Sequence, residues 1–110
     1  AKLDREQSRA KQKDILNDML GNKNISQEQK EKCTESMMEL QQRIEKETAA
    51  EAMIESKGFK EAYVRMDDDT VDVVVDKDKL TDAEVAQIED IVKRKTGMET
   101  SKIRISTLQK

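Results

Sequence analysis

The stretch from Ala62 to Asp76 changes the hydrophobic period of this chain from helical to two, and that change limits the folds open to it. Ala62, Val64 and Met66 alternate with Tyr63 and Arg65. After Asp67, Asp68 and Asp69, the residues Val71, Val73 and Val75 alternate with Asp72, Val74 and Asp76. β-branched side chains at every second position fit a pleated surface with one buried face. Two such runs around a short polar break predict a hairpin. The three aspartates read first as its turn, because short acidic side chains hydrogen-bond their own backbone there. Weak cation binding is the lesser reading. A calcium loop starting at Asp67 would place Asp72 where glycine is needed and Asp78 where glutamate is needed.

Helical patterning surrounds the hairpin. Upstream, Ala50, Met53 and Ile54 form an apolar cluster, and Gly58 stands where a left-handed C-terminal cap is expected. Downstream, Thr81 and Glu84 have capping-box spacing. Val85, Ile88, Ile91 and Val92 then make one helical face before Gly97 closes the helix. In the last segment, Ile103 and Ile105 alternate with Arg104 and Ser106, which predicts a third strand. Residues 48–110 are thus expected to form a compact α-β-β-α-β domain with two helices on one face of a three-stranded sheet.

Residues 1–47 differ. A first helix ends near Gly21 and Asn22, with Ile15, Leu16, Met19 and Leu20 as its apolar residues. Ser26 is an N-cap candidate, with Gln29 in capping-box position and Ile25 as a staple. The stripe Cys33, Met37, Leu40 and Ile44 suits an antiparallel helix pair or a short coiled-coil seam. No glycine or proline interrupts the path from that stripe into the compact domain, so one helix can cross the boundary. The fold class is therefore α+β, an N-terminal helical extension followed by the compact domain. Composition agrees: 35% of the 110 residues are hydrophobic and 41% charged, too few apolar side chains for a single large core.

Chemistry has little to work with. The chain lacks histidine, which removes imidazole ligands and every histidine-based triad. Gly21, Gly58 and Gly97 are isolated, so no phosphate loop is present. No catalytic, metal or cofactor residues are expected. The lone Cys33 has no internal disulfide partner; it reads as a small buried hydrophobe, with an intermolecular or redox role as the alternative. Formal charge is −3; the first 48 residues carry 10 basic and 10 acidic residues and the remainder 11 and 14. Neither part has the surplus that phosphate-backbone binding calls for. A KH-like nucleic-acid-binding domain shares this element order and is the alternative function, but its GxxG loop is missing. A helical adaptor acting through residues 1–47 is a third reading.

The segment "EAMIESKGFKEAYVRMDDDTVDVVVDKDKLTDAEVAQIEDIVKRKTG" resembles the extracytoplasmic domain of the stage III sporulation protein AH family. The likeness lies in a helix ending at Lys57, Gly58 and Phe59, then a strand, an acidic turn, a valine-rich strand, a charged loop and a helix entering the last strand. It covers roughly residues 48–108. It implies a ring-building type of domain in a single-pass mother-cell membrane protein. That domain would lie in the space between mother cell and forespore. It would bind a forespore membrane partner with a LytM-type domain as part of a channel, with a homo-oligomeric ring as a further possibility. The chain begins at Ala1 and not at methionine, so it reads as an excised piece with an anchor expected upstream. The candidate partner-binding positions are Val71, Asp72, Val73, Val74 and Val75, the last strand over 103–107 with Ile103, Arg104 and Ile105, and the helix 82–95. If the valine strand is an exposed edge, Asp72 and Asp76 guard it, and proline at Val73 is expected to harm binding more than folding.

Overall fold

A computed structural model describes residues 2–108. Its elements run α1 (Lys2–Leu20), α2 (Gln27–Ser56), β1 (Ala62–Met66), β2 (Val71–Val75), α3 (Asp82–Thr96) and β3 (Ile103–Thr107), with a 3-10 turn at Thr100–Lys102. Two units divide the chain, one of Leu3–Ile44 and the other from Glu45 onward. α2 is one uninterrupted helix across that division, as an absence of glycine and proline allows.

In the first unit, the Cys33 thiol on α2 donates to the Leu16 carbonyl of α1 at 3.2 Å. Cys33 and Leu40 are buried, while Met37 and Ile44 are half-buried. The apolar end of α1 is only partly used: Leu16 and Leu20 are half-buried, but Ile15 and Met19 are exposed. α1 ends with the Gly21 N–H donating to the Asn17 carbonyl. Gly21 keeps a negative φ, so this end is not a left-handed cap. The Ser26 hydroxyl accepts from the Gln29 N–H at 3.2 Å, and the Gln29 side chain accepts from the Ser26 N–H at 3.0 Å, which satisfies two free donors at the start of α2.

In the second unit the sheet has the order β1-β2-β3, β1 and β2 antiparallel, β2 and β3 parallel. A parallel neighbour needs a crossover, and α3 provides it. The alternation in the sequence becomes two faces. Ala62, Val64, Met66, Val71, Val73, Val75 and Ile103 lie on the buried face, where Ala50 and Ile54 of α2 and Ile88, Ile91 and Val92 of α3 join them in one apolar cluster. Phe59 is part of the same cluster.

The helix ends show why the chain turns where it does. The Thr81 hydroxyl accepts from the Glu84 N–H, and the Glu84 carboxylate accepts from the Thr81 N–H. Glu84 is also paired with Lys77. That ammonium, followed by the Thr81 N–H, holds the Glu84 carboxyl below the ordinary glutamate range. At the other end Gly97 has φ 76°, and its N–H reaches the Lys93 carbonyl. Gly58, just after α2, has φ 103°. Both values lie where a Cβ would crowd the backbone, so glycine is the residue these turns accept.

The hairpin closes through the Asp67 N–H donating to the Thr70 carbonyl at 2.8 Å, leaving Asp68 and Asp69 at the tip. Among the described residues, no group of three or more His, Cys, Asp or Glu side chains is arranged to hold a metal ion.

Candidate functional site

The sheet has two edges and one open face, and the three differ chemically. Backbone parity explains the edges. The Leu108 N–H donates to the Val75 carbonyl, and the Asp76 N–H donates to the Glu61 carbonyl. With the strand registers, these bonds turn the backbone groups of Val71, Val73 and Val75 toward β3 and those of Asp72 and Val74 toward β1. Alternate residues of the outer strands therefore face outward: Ala62, Val64 and Met66 on β1, Ile103, Ile105 and Thr107 on β3.

The outward donors of β1 are occupied by α2. The Met66 N–H donates to the Glu47 carboxylate at 2.7 Å, the Val64 N–H to Glu51 at 2.8 Å, and the Ala62 N–H to Glu55 at 3.0 Å. The spacing makes this possible. Successive glutamates four residues apart climb about 6 Å along a helix. Successive outward amides two residues apart advance about 6.7 Å along a strand. The bonded pairs run in opposite chain directions, since Glu47 meets the end of β1 and Glu55 its start. Glu47 and Glu51 are buried. Hydrogen bonds from backbone amides to a carboxylate are of the strong, charge-assisted kind that burial of such a group calls for.

The β3 edge is of the opposite kind. Ile103 donates its N–H back to the Thr100 carbonyl. Among the described residues, no strand pairs with the outer side of Ile105 or Thr107. That edge presents alternating donors and acceptors, the template for an added strand.

The open face carries two rows. Arg65, Asp72 and Arg104 stand side by side in register, as do Tyr63, Val74 and Ser106. A hydrogen bond from Arg65 to the Tyr63 side chain is the main reason the guanidinium holds its proton even more firmly than usual; Asp67, at 3.7 Å, adds to it. Asp72 between two arginines gives this row mixed sign, unlike the basic stripe of a nucleic-acid surface. A cleft of about 330 Å³ lies at the end of α2, lined by Lys57, Phe59, Lys60, Asp76, Lys77 and Glu84 among others. Its Lys77 ammonium is held both by Glu84 and over the Phe59 ring, 5.6 Å from the centroid.

The sequence-predicted positions thus separate. Val71, Val73 and Val75 are buried, while Asp72 and Val74 lie on the open face. The condition under which Asp72 and Asp76 would guard a free valine edge is not met, because β2 is central and its backbone is committed on both sides. Proline at Val73 would break the bonds to β3 and so the sheet itself, not a contact surface. Ile103, Arg104 and Ile105 do lie on an edge strand, with Ile103 buried, Ile105 half-buried and Arg104 exposed. Ser26, Thr81, Gly58 and Gly97 all stand at helix ends. Sequence reasoning missed Glu47, Glu51 and Glu55. The available signal was their four-residue spacing alongside Ala50 and Ile54, which places acids on the flank of a buried helix face.

Among the described residues no helix is long and apolar enough to cross a membrane. None of the curated proteins compared with the chain matches it. A solved structure described as the SpoIIQ-SpoIIIAH pore forming complex contains a chain similar to this one, with TM-score 0.84 and 23% identity over 98% of this chain and 93% of that one. At that identity the likeness establishes the fold. The model of a protein family described as SpoIIIAH-like protein matches residues 1–105, nearly the full length, and the chain belongs to that family.

Proposed function

We propose that this chain is a non-enzymatic assembly module of a sporulation channel complex that captures its partner by strand addition at β3. The observation that carries the reading is the contrast of edges: among the described residues no strand pairs with the outer side of Ile105 and Thr107 on β3, while the outward N–H groups of β1 are bonded to glutamates. Family membership and a fold shared with a chain of a pore-forming complex support it. The partner would be an extracytoplasmic LytM-type domain projecting from the forespore membrane. The present chain would be tethered to the mother-cell membrane by a segment before residue 1. Tethered copies side by side gain effective concentration, which favours a ring that dilute subunits do not form.

An added strand at this edge would set side chains beside Ile105 on the helix-covered side and beside Arg104 and Ser106 on the open side. Backbone bonds supply the affinity and these neighbours the choice of partner. The test is calorimetric titration of the full chain with the soluble LytM-type domain of its own organism. Ile105→Pro removes an outward donor while sparing the bonds to β2, so affinity should fall about tenfold or more, the worth of one backbone bond with the proline ring also standing in the way of the added strand. The melting temperature should fall only by what the half-buried Ile105 side chain contributes to the apolar cluster, and the chain should remain folded. Undiminished binding by a folded Ile105→Pro chain would reject β3 as the docking edge.

A further inference from the structure

We propose that Glu47, Glu51 and Glu55 are a stopper that closes the β1 edge to strand addition, so that the sheet grows at β3 alone and each copy takes up a single strand. The physical case begins with the hazard. A chain with one free edge of each kind has complementary surfaces at the two ends of its sheet. The β3 edge of one copy would then join the β1 edge of the next, and such a head-to-tail contact does not close on itself. Filaments follow when nothing interrupts the repeat.

Here the interruption is chemical. An incoming strand on β1 would need the N–H groups of Ala62, Val64 and Met66, and each of these already donates to a carboxylate at 2.7–3.0 Å. A strand's carbonyl offers these donors a neutral acceptor in place of an anionic one, which is the weaker bond. It would also leave Glu47 and Glu51, both buried, short of their amide partners. Displacement is therefore uphill at three successive positions. The three bonds span the whole of β1, so none of its outward donors is left for an incoming strand. Two consequences reach function. Strand capture becomes one partner per chain. Any ring of these modules must be joined through helices or the open sheet face, because a continuous sheet through successive copies is barred.

The stopper is independent of what docks on β3, and its test separates the two. In the full 110-residue chain, hydrogen exchange by NMR should show the amides of Ala62, Val64 and Met66 protected to within about tenfold of Tyr63 and Arg65, which bond to β2. Free-edge rates at those three amides would overturn the proposal. Sedimentation velocity across a concentration series should show the combined variant Glu47→Ala, Glu51→Ala and Glu55→Ala growing into larger species, while the corresponding triple glutamine variant, which keeps a neutral acceptor at each position, grows less than the alanine variant. A folded alanine variant with parental mass, or a glutamine variant that associates equally, would overturn it. Adding Ile105→Pro to the alanine variant should abolish the growth, and growth that persists would show joining by another surface. If the alanine variant does not fold, Glu55→Ala alone decides: the Ala62 amide should exchange on the order of tenfold faster or more while Val64 and Met66 hold, and an unchanged Ala62 would overturn the stopper.

Discussion

The two edges of this small sheet are built from strands of equal length, yet one is finished and the other is not. β1 meets a helix that supplies an acceptor for each outward amide. β3 follows a crossover and a 3-10 turn and has a strand neighbour on one side only. The difference teaches that accessibility of a strand is not set by its composition. The valine-rich β2, the most conspicuous stretch of the sequence, has no free side at all.

The comparison can be broken most violently from its centre. Val73→Pro removes an amide that faces β3 and places a rigid ring between two paired neighbours, so a loss of about 3 kcal/mol or more is expected, enough to abolish cooperative melting in a small domain. Circular dichroism on heating checks it; retention of a sharp transition would show that the strand tolerates a gap. On the sealed edge, Glu51→Ala strands the buried Val64 N–H, at a cost of about 1–3 kcal/mol measured by urea unfolding. A value near zero would mean that water takes over the bond.

Gly97→Ala, away from both edges, should cost about 1 kcal/mol through its left-handed φ and leave partner binding unchanged. The smallest effect concerns the exposed pairing of Glu84 with Lys77 and Thr81. Its carboxyl is held below its unfolded value, so its stabilising contribution is present above the ordinary glutamate pKa of about 4.3 and is lost as pH falls through the lower, folded value. The melting temperatures of the parent and Glu84→Gln should therefore differ slightly at neutral pH and converge in acid. A gap that stays constant with pH would assign the effect to the cap geometry instead of the charge.

Much of the fold is local and was legible for that reason. Period-two alternation is a property of five consecutive residues, and capping boxes span four, so Thr81 with Glu84 and Ser26 with Gln29 needed no tertiary information. The apolar end of α1 was read less well. Ile15 and Met19 stand exposed beside the half-buried Leu16 and Leu20, because the spacing of four residues along a helix does not say which of them a neighbour covers.

By itself, then, the sequence determined the order of elements, their ends, the buried face of each strand and the absence of imidazole chemistry. Those follow from steric preference, hydrophobic period and the side-chain inventory. Tertiary structure alone decided that β2 is central, that among the described residues no strand covers the outer side of β3, and that Glu47, Glu51 and Glu55 serve the amides of β1. Strand order depends on where a crossover lands, and these carboxylates reach amides 7 to 19 residues away in the chain. A glutamate every fourth residue looks like an ordinary solvated flank until the helix is laid antiparallel along a strand whose amide spacing nearly equals its own.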